Sequence, residues 1–314
     1  MEKIMLPSEE NYQLSLSFFE SEKEPAAGVV QIVHGMEEHR ERYDDFARYL
    51  AANGLHVAVA DLRGHGEDAP LLSHIADRRG DDLLIRDQQK IAAWINERYP
   101  GLPLMLFGHS MGSIISRVLL QTDSSRYAKA ALSGYVSPNP AAHVAVALGS
   151  AIRLFRGSRA HSKMLDGLAL GAYARSIPGR KTDLDWLSCN EENVRKYIAD
   201  PYCGAAFTVG SYCALFALLN RMGKADAYRN LNAEMPVLLI AGKDDPCTGG
   251  EKGRTGSRAV LEKAGFRKIS VITYDHMRHE ILNETEHEKV YQDLLDFFLD
   301  RTESGNPSSC IKAE

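Results

Sequence analysis

The sequence predicts an α/β protein, with a mostly parallel central sheet flanked by helices and an inserted helical lid. Three observations predict it. Short apolar runs at residues 29–33, 56–60 and 104–107 each lead into glycine or aspartate, as strands buried on both faces of a parallel sheet do. Stretches with apolar residues at helical spacing lie between and after those runs. Two further strand-like runs, 130–133 and 237–241, are separated by about a hundred residues, far more than one crossover requires.

Residues 12–19 alternate, with Leu14, Leu16 and Phe18 on one side, the pattern of a half-buried strand at an antiparallel edge. The three buried runs follow. Between the second and third, Leu84, Ile91 and Ile95 lie close to one helical face, and Ile114, Ile115, Val118 and Leu119 mark a helix directly after Ser110. The long gap holds residues 137–235, which are helical in character at 141–155, 191–198 and 211–222 and are broken at Pro178-Gly179 and Pro201. The expected organisation is a core of residues 1–136 and 236–303 around a lid of residues 137–235, since 314 residues slightly exceed what one hydrophobic core usually organises. Alternation resumes with a strand at 269–274 and ends in an amphipathic helix carrying Val290, Leu294, Leu295 and Phe298. Thr285 and Glu288 give that helix a capping-box pattern. Residues 304–314 read as a flexible tail.

With 44% hydrophobic and 25% charged residues the chain has ordinary globular composition, and a net charge of −5 without a basic stripe excludes nucleic acid as a partner. Five scattered cysteines without CxxC spacing fit free thiols, and the first nineteen residues lack the apolar run of a secretory signal. A cytoplasmic protein is expected. Residues 141–155, followed by Arg156, Arg159 and Lys163, read either as a buried lid helix or as one that touches a membrane surface transiently; they are too short to cross a bilayer.

The sharpest local signal is Gly108-His109-Ser110-Met111-Gly112, directly after a strand and directly before a helix. A serine becomes a useful nucleophile when a tight strand-to-helix turn lifts its hydroxyl to a base, and glycines flank it because a Cβ would clash there. The base and its orienting acid should follow in the order acid, then histidine. Asp244 and Asp245 end the strand at 237–241, and His276 and His279 follow the strand at 269–274. Asp245, before Pro246, is the expected acid and His279 the expected base. Backbone N–H groups of Met111, after the nucleophile, and of Met36, in the His34-Gly35-Met36 turn, are the expected donors to an oxyanion. His34, Glu37, Glu38 and His39 look like metal ligands at first sight, yet two histidines five apart point about 140° away from each other on a helix. No metal and no cofactor is expected. Asp61-Leu62-Arg63-Gly64-His65-Gly66 reads as a packed loop bracing the site.

Together these segments resemble the monoacylglycerol lipase and lysophospholipase branch of the α/β hydrolases, also described as serine aminopeptidase-like. The resemblance rests on His34-Gly35-Met36 with Glu38-His39 and Arg42-Tyr43, on residues 61–66, on 99–103 leading into 107–112, on Gly242 to Pro246, and on Arg278-His279-Glu280. Trp186-Leu187-Ser188 and Asp200-Pro201-Tyr202-Cys203-Gly204 resemble the same family's lid. It implies an α/β-hydrolase fold and hydrolysis of a small-molecule acyl ester, with an acyl tunnel under the lid, no cofactor, and Glu38 and Arg42 near the polar head of the substrate. Glu67-Asp68 and Cys189-Asn190 depart from the family's usual residues. An aminopeptidase or amidase shares the chemistry, and a non-catalytic ligand-binding module shares the fold.

Overall fold

The structure is a computed structural model that describes residues 1–139, 141–229 and 231–301; the expected tail at 304–314 and Cys310 lie outside them. Eight strands form one sheet: β1 (Glu2–Pro7), β2 (Gln13–Phe19), β3 (Gly28–Val33), β4 (Leu55–Ala60), β5 (Leu104–His109), β6 (Lys129–Ser133), β7 (Val237–Gly242) and β8 (Ile269–Tyr274). Their order is β1-β2-β4-β3-β5-β6-β7-β8. β2 pairs antiparallel with both β1 and β4, and every pairing from β4 to β8 is parallel. From β3 the chain goes to β4 on one side, then crosses to β5 on the other. The mouth between β3 and β5 is therefore a topological switch point, where such sheets bind ligands.

Residues 12–19 are not the sheet edge that their alternation suggests. β1 covers that side, and β2 is buried from Leu14 to Phe19. Leu14, Leu16 and Phe18 join the core, while Ser17, on the opposite face, accepts a hydrogen bond from buried Arg40 at 3.1 Å. β1 is further held by Lys3, which pairs with Glu67 at 2.6 Å and Asp68 at 2.9 Å.

Helices cover both faces. α2 (Gly80–Arg98), α3 (Met111–Asp123) and α9 (Gly250–Ala264) pack on one, and α1 (Asp44–Ala52) and α10 (His287–Leu299) on the other. The expected cap of α10 is absent: the helix starts after Glu286 with no side-chain cap. Glu284 instead accepts from Ser188 Oγ, Cys189 N–H, Asn190 N–H and Arg278 N–H, tying the insertion to the loop after β8.

Between β6 and β7 the described residues form α4 (Ala142–Arg156), α5 (Lys163–Ala169), α6 (Gly171–Arg175), α7 (Glu191–Ala199) and α8 (Val209–Met222). Asn190 caps α7, accepting from Glu192 N–H at 3.1 Å. α8 is continuous with the core, since Tyr212, Leu215, Phe216 and Leu218 belong to the same apolar cluster as α2 and α3. α4 packs on α8 through Gly149, whose place an added Cβ would fill against Cys213 and Phe216, and exposes its other side. No described helix is long and apolar enough to cross a membrane.

Candidate active site

β5 ends at His109 and α3 begins at Met111, which leaves Ser110 alone in the turn at φ 52° and ψ −118°. Such a backbone costs on the order of 1–3 kcal/mol and persists only where its surroundings impose it. Ser110 N–H donates to the Ser133 carbonyl at 3.0 Å, and Ser113 Oγ donates to the Ser110 carbonyl at 2.7 Å. An added Cβ at Gly108 would collide with Ser116 Oγ, and one at Gly112 with the Val33 carbonyl. Both glycines thus let α3 lie directly against β3 and β5.

Beyond the ends of β7 and β8, Asp245 and His279 meet. His279 Nδ1 lies 3.0 Å from Asp245 Oδ2, while Asp245 Oδ1 accepts from Cys247 N–H at 2.8 Å. Both side chains are buried. Asp244 and His276 are exposed and make no such pair. Burial opposes charge on His279, yet the Asp245 carboxylate and Cys247 beside it raise its pKa well above the ordinary imidazole value. The Cys247 thiol is itself pushed up to about 11 by burial, so it is neutral near pH 7 and the carboxylate is what acts. His279 Nε2 has no hydrogen-bond partner among the described residues. The rings of His109 and Trp186 flank the imidazole at 4.7 Å and 5.0 Å.

The loop after β3 passes beside Ser110: an added Cβ on Gly35 would stand 3.1 Å from Ser110 Cβ. Met36 and Met111 line one cavity together with Ser110 and His279. As the first residue of α3, Met111 has an N–H without an intrahelical acceptor. Glu38 holds the loop's shape by accepting from Gly35 N–H at 2.5 Å and Tyr43 O–H at 2.8 Å.

Arg42 is not among the residues that line this cavity. Its guanidinium binds Glu280 at 2.6 and 2.7 Å, Glu38 at 2.9 Å and Asn193 at 3.1 Å. Burial pushes both acids up; opposite Arg42, Glu280 ends below its ordinary value, whereas Glu38 stays above. Arg42 thus ties the loop after β3 to the residue next to His279 and to α7. Glu38 does line the cavity. The 61–66 loop is braced as its glycines suggest: Arg63 pairs with Asp87 at 2.6 Å, Asp61 binds Arg40, and Leu62 N–H donates to His34 Nε2 at 2.9 Å.

Local sequence patterns do not reveal everything in the cavity. Trp186, Leu187, Leu170 and Tyr173 of the insertion form part of its wall, with Ile114 of α3 and Leu215 and Leu219 of α8. Trp186-Leu187 stands out in the sequence only through the lid resemblance, and Leu187 accepts Glu280 N–H at 2.7 Å. Glu280 is marked only by following His279. Glu37, also on the wall, sits in left-handed backbone at φ 58°, which nothing in its sequence neighbourhood announces.

A parallel sheet bearing a serine in a strained strand-to-helix turn, opposite a buried carboxylate–imidazole pair, defines an α/β hydrolase. Within that class, residues 24–286 match the family described as serine aminopeptidase, S33, and the chain belongs to it. The monoacylglycerol lipase of Mycolicibacterium smegmatis is 28% identical over 275 residues, 87% of this chain and 88% of the relative. The monoglyceride lipase of Homo sapiens is 26% identical over 287 residues, 90% of this chain and 85% of the relative. Among solved structures, a thermostable carboxyl esterase from Bacillus coagulans superposes with a TM-score of 0.85 at 24% identity, covering 94% of this chain and 97% of that one.

Proposed function

We propose that this protein is a serine hydrolase of carboxylic esters, acting on monoacylglycerol, lysophospholipid or a similar single-chain acyl ester. The observation that carries the reading is the buried Asp245–His279 pair whose second imidazole nitrogen, unpartnered among the described residues, lies on the cavity that also holds Ser110. Ser110 Oγ attacks the acyl carbon while His279 Nε2 takes its proton; the imidazolium then protonates the departing alcohol, leaving an acyl-enzyme. Asp245 keeps the tautomer with Nε2 free and stabilises the imidazolium. The N–H groups of Met36 and Met111 hold the oxyanion, a donor being worth about 10²–10³ in rate. Water, activated by His279 in turn, releases the acid. No cofactor enters this scheme.

The apolar wall formed by α3, α8 and residues 170–187 suits an acyl chain, so the insertion, residues 137–235, acts as the lid. The names of the relatives support the ester reading, and four free cysteines among the described residues support a cytoplasmic setting. Contact of α4 with a membrane surface would bring lipid to the lid.

Initial rates on p-nitrophenyl acyl esters of increasing chain length, beside aminoacyl anilides, test the reading with wild type and Ser110→Ala. Ester turnover should fall by at least about 10⁴ in the variant. Equal rates in both proteins would refute it, and cleavage of anilides alone would make the protein an aminopeptidase.

A further inference from the structure

His34 and His39, close in sequence, face different partners. His34 is spent inside the core, with the Gly35 carbonyl 2.8 Å from Nδ1 and the Leu62 N–H 2.9 Å from Nε2. His39 meets residues from the insertion instead. Its Nε2 lies 2.9 Å from Asp200 Oδ2, and the Cys203 thiol completes a trio whose ligand atoms all lie within 4.8 Å of one another. Asp200 and Cys203 belong to one tight turn after α7, closed by Cys203 N–H on the Asp200 carbonyl at 3.2 Å. Tyr202 N–H holds the other Asp200 oxygen at 2.8 Å.

We propose that His39, Asp200 and Cys203 bind a thiophilic divalent cation of the zinc class, which rivets the insertion to the loop after β3. An imidazole, a carboxylate and a thiolate are the ligands zinc takes, at about 2.0–2.3 Å. Ligand atoms around a tetrahedral ion then stand about 3.3–3.8 Å apart, so the His39–Asp200 contact opens slightly and no pair need close by more than about 1 Å. Asp200 and Cys203 are each partly exposed, which gives the ion an entry and leaves water as fourth ligand. Arg42, whose charge acts on Cys203, is already paired with Glu280 and Glu38, so its charge is largely spent before an ion arrives.

Binding moves one proton. The Cys203 thiol, raised by burial and by the Asp200, Glu38 and Glu280 carboxylates against the opposing pull of Arg42, releases its proton to solvent as the thiolate joins the ion. Because that proton is lost on binding, affinity rises with pH. The same turn and α7 before it already grip the wall of the cavity: Gly204 N–H donates to the Glu37 carbonyl at 2.9 Å, and Tyr197 O–H of α7 donates to it at 2.7 Å. An ion here fastens the insertion next to Met36 and slows its opening; this consequence rests on the hydrolase reading.

The test is a cobalt(II) titration of the reduced, chelator-free full chain, followed through the thiolate-to-cobalt charge-transfer absorption, with zinc inhibition of p-nitrophenyl ester turnover measured in parallel. One equivalent of cobalt should give the band and zinc should displace it. Cys203→Ser and His39→Gln should each lose the band and need about tenfold more zinc, or above, for half-inhibition. No band, a band that survives Cys203→Ser, or unchanged zinc sensitivity overturns the proposal. So does a band lost only in Cys247→Ser, which would move the ion to Asp245, Cys247 and His279. If the wild type turns over no ester, the hydrolase reading fails while the cobalt titration still decides the metal site.

Discussion

Glu37 is the residue at which local rules are most openly broken. It adopts φ 58°, where a side chain is strained, and its carboxyl is buried with Oε1 unpartnered among the described residues. Burial, helped by the Asp166 carboxylate, pushes it from the ordinary 4.5 up to about 8. Between those two values the folded chain binds more protons than the unfolded one, so stability falls as pH rises through that window and is fully present below it. Glu37→Gln keeps the shape and cannot ionise. Its melting temperature should therefore hold while that of the wild type drops between about pH 5 and pH 8 at constant ionic strength. Parallel curves from scanning calorimetry would mean that the folded protein tolerates the charge. Glu37 also marks how a site is read: Ser110, Asp245 and His279 are legible because each ends a recognisable strand, whereas strain is a property of the folded backbone alone. The ties of Arg42 are hidden in the sequence for the same reason, since its partners Glu280 and Asn193 come from distant segments.

At the scale of elements, legibility follows burial. β3 to β7 announce themselves as apolar runs because both of their faces are covered, and β1 escapes because only Leu6 of its six residues is buried. The capping box at Thr285 misleads because the preceding Glu284 has turned to the backbone of Cys189, Asn190 and Arg278, and the helix begins beyond it. For α4 the sequence leaves a buried and a membrane-facing helix both open, and the structure exposes Leu154 by 81% and Phe155 by 86%. Val144 of α4 and Met164 and Leu168 of α5 are exposed as well, beside Arg153, Arg156, Arg159 and Lys163. Burying a leucine or phenylalanine in acyl chains gains about 1.5–3 kcal/mol each, and a basic residue near an anionic surface adds about 1 kcal/mol. We propose that together they support reversible binding. The wild type should co-float with anionic vesicles, and Leu154→Glu with Phe155→Glu should cut the bound fraction at least about tenfold. Wild-type protein left wholly at the bottom of the gradient would retire membrane contact through α4.

The whole molecule raises the question whether the insertion is a separate lid or a part of the core that carries one. Its position in the chain, between β6 and β7, suggests a removable unit, but α8 argues otherwise. Tyr212, Leu215, Phe216, Leu218 and Met222 are buried in the cluster that α2 and α3 share, and Arg221 pairs with Asp81 of α2 at 2.7 Å. Five such side chains at about 1.5–3 kcal/mol each match the entire stability of a typical domain. We propose that the lid proper is α4 to α7, with α8 as the wall on which it rests. Leu218→Ala, far from Ser110 in sequence and inside the insertion, should behave as a core substitution. It should cost about 2–5 kcal/mol, read as a lower urea midpoint with an unchanged slope and one coincident transition by fluorescence and circular dichroism. An independent lid would instead show two transitions, with Leu218→Ala shifting the earlier one and leaving the later in place. That outcome would return the boundary to 137 and 235, whereas a single shifted transition puts the folding unit across it and makes α8 the floor of the acyl cavity in stability as well as in shape.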